Sequence, residues 1–495
     1  MGLLITCTLV TTLYATTITI ANVSLLQIQG ALSASPDQIA WVVTSNLIAT
    51  AVTIPLAGWI SARFGRRRAM IWGVAGFGFA TLMCGFSTSL AELVFWRVLQ
   101  SAFGSPITPI SQSVVIDEFT GEKRGAAVAI YSMGVGVAPT IAPLLGGYVS
   151  EEISWRWIFF ILLPVAFVAL VGVLMFIKPD APREERPKLD WTGFLSLSIA
   201  IACVQLMLDR GERADWFDSI EIILEFSFAI LFGWVFLVHS LTTDRPFLDP
   251  RLLLERNFAL GIAIAGVFGM LFVTPMVLMP AMLQQLRDVP DFTAGLLIAV
   301  RGVGTLLSQL IMIFFAHRWD ARLLFLIGFA AHTYAGLMMA DFGMNVPLSN
   351  VVWAMAIQGF GVGFLWVPMT LVTFSNFDPR RSAEGMTLFH FVRSIASSYY
   401  ISASFVVVFH TQKISYSELV QWINPFNDRL NMEAAMGGWN TESVAGLTSI
   451  AGEAARQATA IGYINVFHLF LWSSLLVYPL IALIVWPPKG YRPRT

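Results

Sequence analysis

Long apolar runs alternate with short polar breaks along almost the whole chain, and fourteen of the runs are long enough to cross a bilayer. They cover residues 3–26, 38–60, 69–88, 92–116, 125–149, 155–177, 191–208, 220–241, 257–282, 293–316, 322–341, 349–373, 384–409 and 463–486. A helical crossing needs about 20 mostly apolar residues. The pattern therefore predicts an all-α polytopic membrane protein with 14 transmembrane helices. Two polar breaks stand out by length or composition. Residues 178–190 (KPDAPREERPKLD) are charged and proline-rich, as a linker between helical bundles is. Residues 410–462 form a polar segment too long for a mere connector, with an amphipathic helix expected near 441–460, opened by Asn440 or Thr441.

The breaks also carry a weak repeat. GWISARFGRRRAM follows the second run and FAHRWDARLL follows the tenth, each short and basic. Two six-helix halves with two additional helices between them account for fourteen. The expected organisation is a bundle over 1–177, a linker over 178–190, the additional pair over 191–241, and a second bundle over 257–486 that includes loop 410–462.

Charge sets the orientation. Breaks after even-numbered runs, with the C-terminal tail, hold twenty of the 30 Lys and Arg residues, and the opposite breaks hold seven. Basic residues stay on the cytoplasmic side, so both termini are expected there. The first run is too long, and too polar at its end, to be a cleaved signal peptide. Charged residues make up only 12% and the net charge is -1, which leaves no basic field for nucleic acid. Cys7, Cys84 and Cys203 all fall inside apolar runs, where small packing residues are expected rather than disulfides or metal ligands. No nucleotide-binding loop, catalytic triad or cofactor loop is present in the sequence, so neither an ATP-driven pump nor an enzyme is expected.

Three motifs carry the chemistry. Gly58 to Arg68 (GWISARFGRRR) combines glycines suited to a tight turn with a row of arginines, and Asp117 at the end of the fourth run is placed to pair with Arg63 or Arg66. Arg97, in LVFWRVLQ, is a charge at membrane depth, which must face a bundle interior or water-filled cavity. Gln100 shares its helix face. In GVGVAPTIAPLLGGYV, Gly134, Pro139, Pro143, Gly146 and Gly147 allow close helix approach and bend the fifth run.

These motifs resemble signatures of the major facilitator superfamily: the loop between helices 2 and 3 with Gly58 and Gly65, the intramembrane Arg of helix 4, and the exporter-type helix 5 motif. Ala62 stands where the family usually has Asp, and Ala142 where Gly precedes the proline. Further strings are similar to the fourteen-helix drug:proton antiporter branch, the EmrB/QacA type, closest to its EmrB members. They include Ile20-Ala21-Asn22-Val23, Trp155 to Phe160, Leu206 to Gly211, Asp215-Trp216-Phe217, Ala294-Gly295-Leu296 and Asn424 to Asn427, from about residue 10 to about 488. The resemblance implies an inner-membrane efflux transporter for small amphipathic molecules, working by alternating access and driven by the proton gradient without a bound cofactor. It also implies an EmrA-like periplasmic adaptor and a TolC-like outer-membrane channel as partners. The alternatives are a dedicated exporter of one metabolite, such as a siderophore or aromatic acid, and a non-transporting scaffold or sensor.

One departure concerns coupling. The branch carries an Asp five residues before Asn22, and here that position is Thr17, which cannot carry a proton. His390, one turn before Arg393, replaces a usual Asn and is a candidate proton acceptor. His332, His468, Glu225 and Asp209 are further titratable groups in or near the spans. The expected cavity residues are Tyr14, Thr17, Asn22, Arg97, Gln100, Arg301, Gln358, Trp366, Phe389, His390 and Arg393, with no acid among them. Such a lining suits an anionic or neutral amphiphile better than a lipophilic cation.

Overall fold

The computed structural model describes residues 1–119, 122–179, 187–244, 246–315, 319–375, 377, 381–424, 427 and 443–485, and their regular structure is entirely helical. The first group comprises α1 (Gly2–Val23), α2 (Leu25–Ala31), α3 (Pro36–Thr53), α4 (Leu56–Phe64), α5 (Arg66–Phe86), α6 (Leu90–Gly104) and α7 (Ile107–Glu118). It is completed by α8 (Glu122–Glu152), α9 (Trp157–Phe160) and α10 (Leu162–Phe176). Two helices follow, α11 (Trp191–Arg210) and α12 (Ile220–Thr242). The last group is α13 (Arg256–Arg287), α14 (Asp291–Phe315), α15 (Ala321–Ala340), α16 (Leu348–Thr373), α17 (Ser382–Val420), α18 (Val444–Leu475) and α19 (Val477–Ala482).

Local chemistry sets the breaks. Ser35 and Gln38 form a reciprocal capping box that starts α3. Pro55 lacks the N–H that would continue the ladder, and α3 and α4 meet there at 53°. Gly65 has φ 87°, a conformation that favours glycine, and it ends α4 and starts α5 in one residue. Twelve helices among the described residues are each long and apolar enough to cross a membrane, or thirteen with the bent α3–α4 pair. The shortfall from fourteen lies in residues 92–116, expected as one helix. There Pro106 separates α6 from α7, and neither piece reaches crossing length alone.

A second correction concerns segment 410–462. Helix α17 runs to Val420 and α18 begins at Val444, capped by Ser443 rather than by residues 440–441. At 1.5 Å per residue the two helices reach about 16 Å and about 28 Å past the expected spans. Much of that segment is therefore helix continuous with its membrane spans. Residues 425–426 and 428–442 lie outside the described residues.

Between lipid-bathed helices small residues allow close approach and polar pairs add specificity. Helix α14 runs tightly against α16, where a Cβ on Gly304 or Gly359 would strike the backbone of Ala356 or Arg301. Helix α8 packs on α1 with one face and on α14 with another. Added Cβ atoms on Gly134 and Gly146 would strike Thr12 and Ile20 of α1, the Pro139 carbonyl accepts from Thr19 Oγ1 at 2.9 Å, and Gly147 is buried. A Cβ on Gly295 of α14 would lie 2.7 Å from the Pro143 oxygen. The helix 5 motif thus serves both contacts. Helix α12 packs on α11 and exposes Ile220, Leu224, Ile230, Trp234 and Leu241, the face of a lipid-contacting span.

Candidate functional site

Polar side chains that the sequence scatters over nearly 400 positions form three connected groups at the centre. In the first, Ser89 accepts from the Glu92 N–H and starts α6, so that Arg97 falls two turns in, where its side chain is 1% exposed. Arg97 Nη1 donates to Gln100 Oε1 at 2.8 Å, and Gln100 Nε2 donates to Thr81 Oγ1 of α5 at 2.7 Å. The guanidinium lies 6.0 Å from the Phe159 ring. Tyr14 bonds Thr50 at 2.6 Å, and its ring meets Phe77 edge-on at 6.4 Å.

The second group lies inside the last helix bundle. Arg301 of α14 donates to the Phe272 carbonyl at 2.8 Å, to Gln358 Oε1 and to Met276 Sδ, and sits 4.6 Å over the Phe272 ring. Since Gln358 presents its oxygen to Arg301, its amide nitrogen faces the Leu271 carbonyl (3.1 Å) and His332 Nε2 (3.3 Å). The Gly328 carbonyl can only accept, so His332 carries its proton on Nδ1, 2.9 Å away. Both His332 nitrogens are engaged, which removes it as a free proton acceptor. His468 is exposed on α18, away from the centre.

The third group spans the seam between the two bundles. Thr370 Oγ1 donates to the Trp366 carbonyl (3.1 Å) and accepts from Gln112 Nε2 of α7 (3.3 Å). Gln112 Oε1 then faces His390 Nε2 of α17, which donates to it. His390 Nδ1 is buried and without a partner. Arg393 lies 5.4 Å from the Trp366 ring, and Arg393 Nε and Trp366 Nε1 are likewise buried and unpartnered. Thr11, Ser111 and Tyr131 close the wall with mutual contacts of 2.6 to 3.1 Å. The Trp366 and Phe272 rings, 6.4 Å apart, connect this group to Arg301.

Arg301, Gln358, Trp366, His390 and Arg393 therefore join one network, while Arg97 and Gln100 form a separate one with Thr81, and Tyr14 bonds Thr50. One expected residue turns away from it. Thr17 is buried but turns its hydroxyl onto the Leu13 carbonyl of its own helix at 3.0 Å. Phe389 does join, meeting the His390 ring edge-on at 5.4 Å, and it also packs on Phe374, whose ring belongs to an aromatic stack with Phe258 and Phe377. The Asn22 side chain lies outside the described residues. Sequence reading missed Gln112, Tyr131 and Thr370, and also Gln309 of α14, whose Oε1 accepts from Ser132 of α8 at 2.9 Å. The signal for the glutamines was the one that singled out Gln100: an amide in an apolar run needs a partner. Among the described residues no Asp or Glu is fully buried, while Arg97 and Arg301 are.

The Gly58–Arg68 end holds a separate contact set. Arg66 pairs with Asp117 at 2.6 Å, and Asp117 also accepts from Ser382 of α17 at 3.2 Å, linking the two bundles. Arg63 instead donates to the Pro187 carbonyl at 3.1 Å, which Trp59 Nε1 shares at 3.2 Å. A Cβ on Gly58 would lie 3.2 Å from Thr387 Oγ1, so α4 and α17 are close there. Nearby, Arg381 bridges Asp249 at 2.6 Å and Glu384 at 2.9 Å. Burial raises the Asp249 pKa, but hydrogen bonds from Arg381 and the Arg251 N–H outweigh it and hold the carboxyl below its ordinary value. At the opposite end the Phe292 N–H donates to Glu151 (3.1 Å) and Tyr148 meets Phe292 ring to ring. With contacts across both ends and a buried centre, the conformer is closed.

Two helical bundles around a buried polar seam, with cross-bundle contacts at both ends, are the architecture of an alternating-access membrane transporter. The chain belongs to the Major Facilitator Superfamily, whose family model matches residues 7–401. It is 34% identical over 478 residues to the multidrug export protein EmrB of Escherichia coli K12, covering 95% of this chain and 92% of that protein. It is 30% identical over 471 residues to the fatty acid resistance protein FarB of Neisseria gonorrhoeae, covering 95% and 92%. The crystal structure of a D-xylose–proton symporter superposes with a TM-score of 0.61 at 14% identity over 97% of each chain, a likeness of fold. The protein is a multi-pass membrane transporter of this superfamily.

Proposed function

We propose that the protein exports small amphipathic molecules with an anionic or neutral polar end across the bacterial inner membrane. The observation that carries this reading is the central arginine set: Arg97 and Arg301 fully buried, Arg393 beside Trp366, and no fully buried carboxylate among the described residues to offset them. A buried cation without a counter-ion is costly, so an anionic headgroup is the natural neutralising partner, with the rings of Phe272 and Trp366 for the apolar part. The names of the relatives, one a multidrug exporter and one a fatty acid resistance protein, agree with that class.

In this reading residues 1–177 and 257–486 are six-helix halves joined by 178–190 and the pair 191–241, with α6 and α7 together as the fourth of fourteen crossings. Both termini are cytoplasmic. The contacts of Arg66, Asp117, Ser382 and Gly58 part when the cavity faces inward, and those of Gly295 and Phe292 part when it faces outward. Proton influx drives export, with His390 Nδ1 as the acceptor in place of the missing carboxylate at Thr17. The projecting ends of α17 and α18 dock an EmrA-like adaptor, which connects to a TolC-like outer-membrane channel.

Transport in proteoliposomes under an imposed pH gradient tests the proposal, using acidic, neutral and cationic amphiphiles with internal pH recorded. Acidic compounds are expected to move with counter-flow of protons, and His390→Ala is expected to abolish the proton flow. Transport confined to cations would overturn the substrate class. Proton flow absent from the parent protein and present in Thr17→Asp would overturn antiport.

A further inference from the structure

The two seams between the halves are not closed alike. With 1–177 and 257–486 taken as repeats, the second and fifth crossings of one half correspond to the second and fifth of the other. The seam of α8 with α14 is then the counterpart of α17 with the bent α3–α4 pair. In the first seam the helices touch directly, since added Cβ atoms on Gly295 and Gly302 would lie 2.7 Å from the Pro143 oxygen and 2.6 Å from Thr140 Oγ1. In the second, α17 touches α4 at Gly58, but α3 and α17 meet only briefly, and α11 lies between them, packed on both.

Polar contacts of α11 reach both halves. Asp209 Oδ2 accepts from Thr44 Oγ1 of α3 at 2.7 Å, and Oδ1 accepts from Gln205 Nε2 at 3.0 Å and from Ser402 of α17. Gln205 also bonds Ser402 at 2.7 Å and accepts from Ser398 at 2.6 Å, while Tyr399 donates to the Ile201 carbonyl at 3.2 Å. One carboxylate thus serves donors from three helices, a task that needs acceptor lone pairs on both oxygens.

We propose that α11 is a wedge that gates the α3–α17 seam, and that Asp209 is its positioning residue, joining the halves in the closed conformer and releasing them when this end opens. Asp209 lines a cleft of about 250 Å³ with Trp41, Thr44, Leu206, Arg210 and Arg213. Water in such a cleft can satisfy Thr44, Ser402 and the carboxylate as they separate, so the clasp breaks without stranding buried polar groups. The neighbouring charges have other partners: Arg210 pairs with Glu221, His410 with Glu212, and Lys413 with Asp215. The wedge gives the additional helix pair a role in the transport cycle. That role rests on the alternating-access reading, whereas the contacts of Asp209 with α3 and α17 do not.

The test uses the full chain in nanodiscs with Cys7, Cys84 and Cys203 replaced by serine and spin labels on Gln38→Cys and Glu418→Cys, at exposed sites of α3 and α17. Double electron–electron resonance reads the separation. Asp209→Ala and Asp209→Asn are expected to raise the ratio of long to short separations at least about tenfold, as loss of charge-assisted hydrogen bonds at a two-state contact does. Asp209→Glu, which keeps the acceptors, is expected to return most of that change. Ratios within about twofold of the parent in both variants, or a fall in thermal stability with the parent's separation unchanged, would overturn the gate. A parent protein that transports none of the amphiphiles yet shows the shift keeps the gate and overturns the functional reading instead.

Discussion

His390 and His332 are both fully buried, yet only one has chemistry left to offer. His332 gives one nitrogen to the Gly328 carbonyl and the other to Gln358, whereas His390 has a bare Nδ1. His390→Gln, which still reaches Gln112 but cannot take a proton, is expected to keep substrate binding and lose proton release, read by isothermal titration beside the proteoliposome assay. Gln358→Leu is expected to act on folding. It leaves Arg301 Nε and a buried His332 nitrogen without partners, while the Phe272 carbonyl still holds Nη2, at about 1–3 kcal/mol per group. A large fall in melting temperature in detergent checks this. Asp249 behaves differently because it is near water and paired. A carboxyl held below its ordinary value contributes stability above that value and loses it only as pH falls through the lowered one. Asp249→Asn is therefore expected to cost less than about 1 kcal/mol at neutral pH, with the difference vanishing only in acid below the ordinary carboxylate range. Arg97 with Gln100 was legible in the sequence because three helical positions bring two side chains together. His390 with Gln112 was not, because 278 positions separate them and no helical period relates them.

At the scale of elements, backbone contact sets how the bundles can move. Gly295 leaves the Pro143 carbonyl no room for a side chain, so Gly295→Val is expected to force α8 and α14 apart at the end away from Gly58. Labelling of a cysteine introduced at Tyr148 by a water-soluble thiol reagent checks this, with faster reaction expected in the variant. Gly58→Leu is the mirror experiment, opening the α4–α17 contact at the other end. The glycines of the helix 5 motif were legible as packing residues. Which helices they receive, α1 on one side and α14 on the other, was not. The lengths of α17 and α18 also escaped the apolar pattern. Their outer turns are polar and water-facing, and hydropathy reports burial in lipid rather than helix.

For the whole molecule, the projecting ends of α17 and α18 predict a separable function. Replacing exposed residues of those ends, Tyr416→Glu with Leu447→Glu, is expected to leave proteoliposome transport near the parent rate and to abolish capture of an EmrA-like adaptor in pull-down assays. Loss of both activities together would mean that those ends serve the fold. The sequence by itself determined that this is a helical membrane protein, where most crossings lie, and which arginines must be buried. Those properties follow from the cost of polar groups in hydrocarbon, a cost paid residue by residue and so written locally. Tertiary structure alone decided which buried groups meet: Gln112 with His390, Gln358 with both Arg301 and His332, and Asp209 with helices of both halves. Lipid tails are as apolar as leucine, so hydropathy cannot choose one helix neighbour over another. Shape at the glycines and single hydrogen bonds make that choice, and both are defined only once the helices have come together.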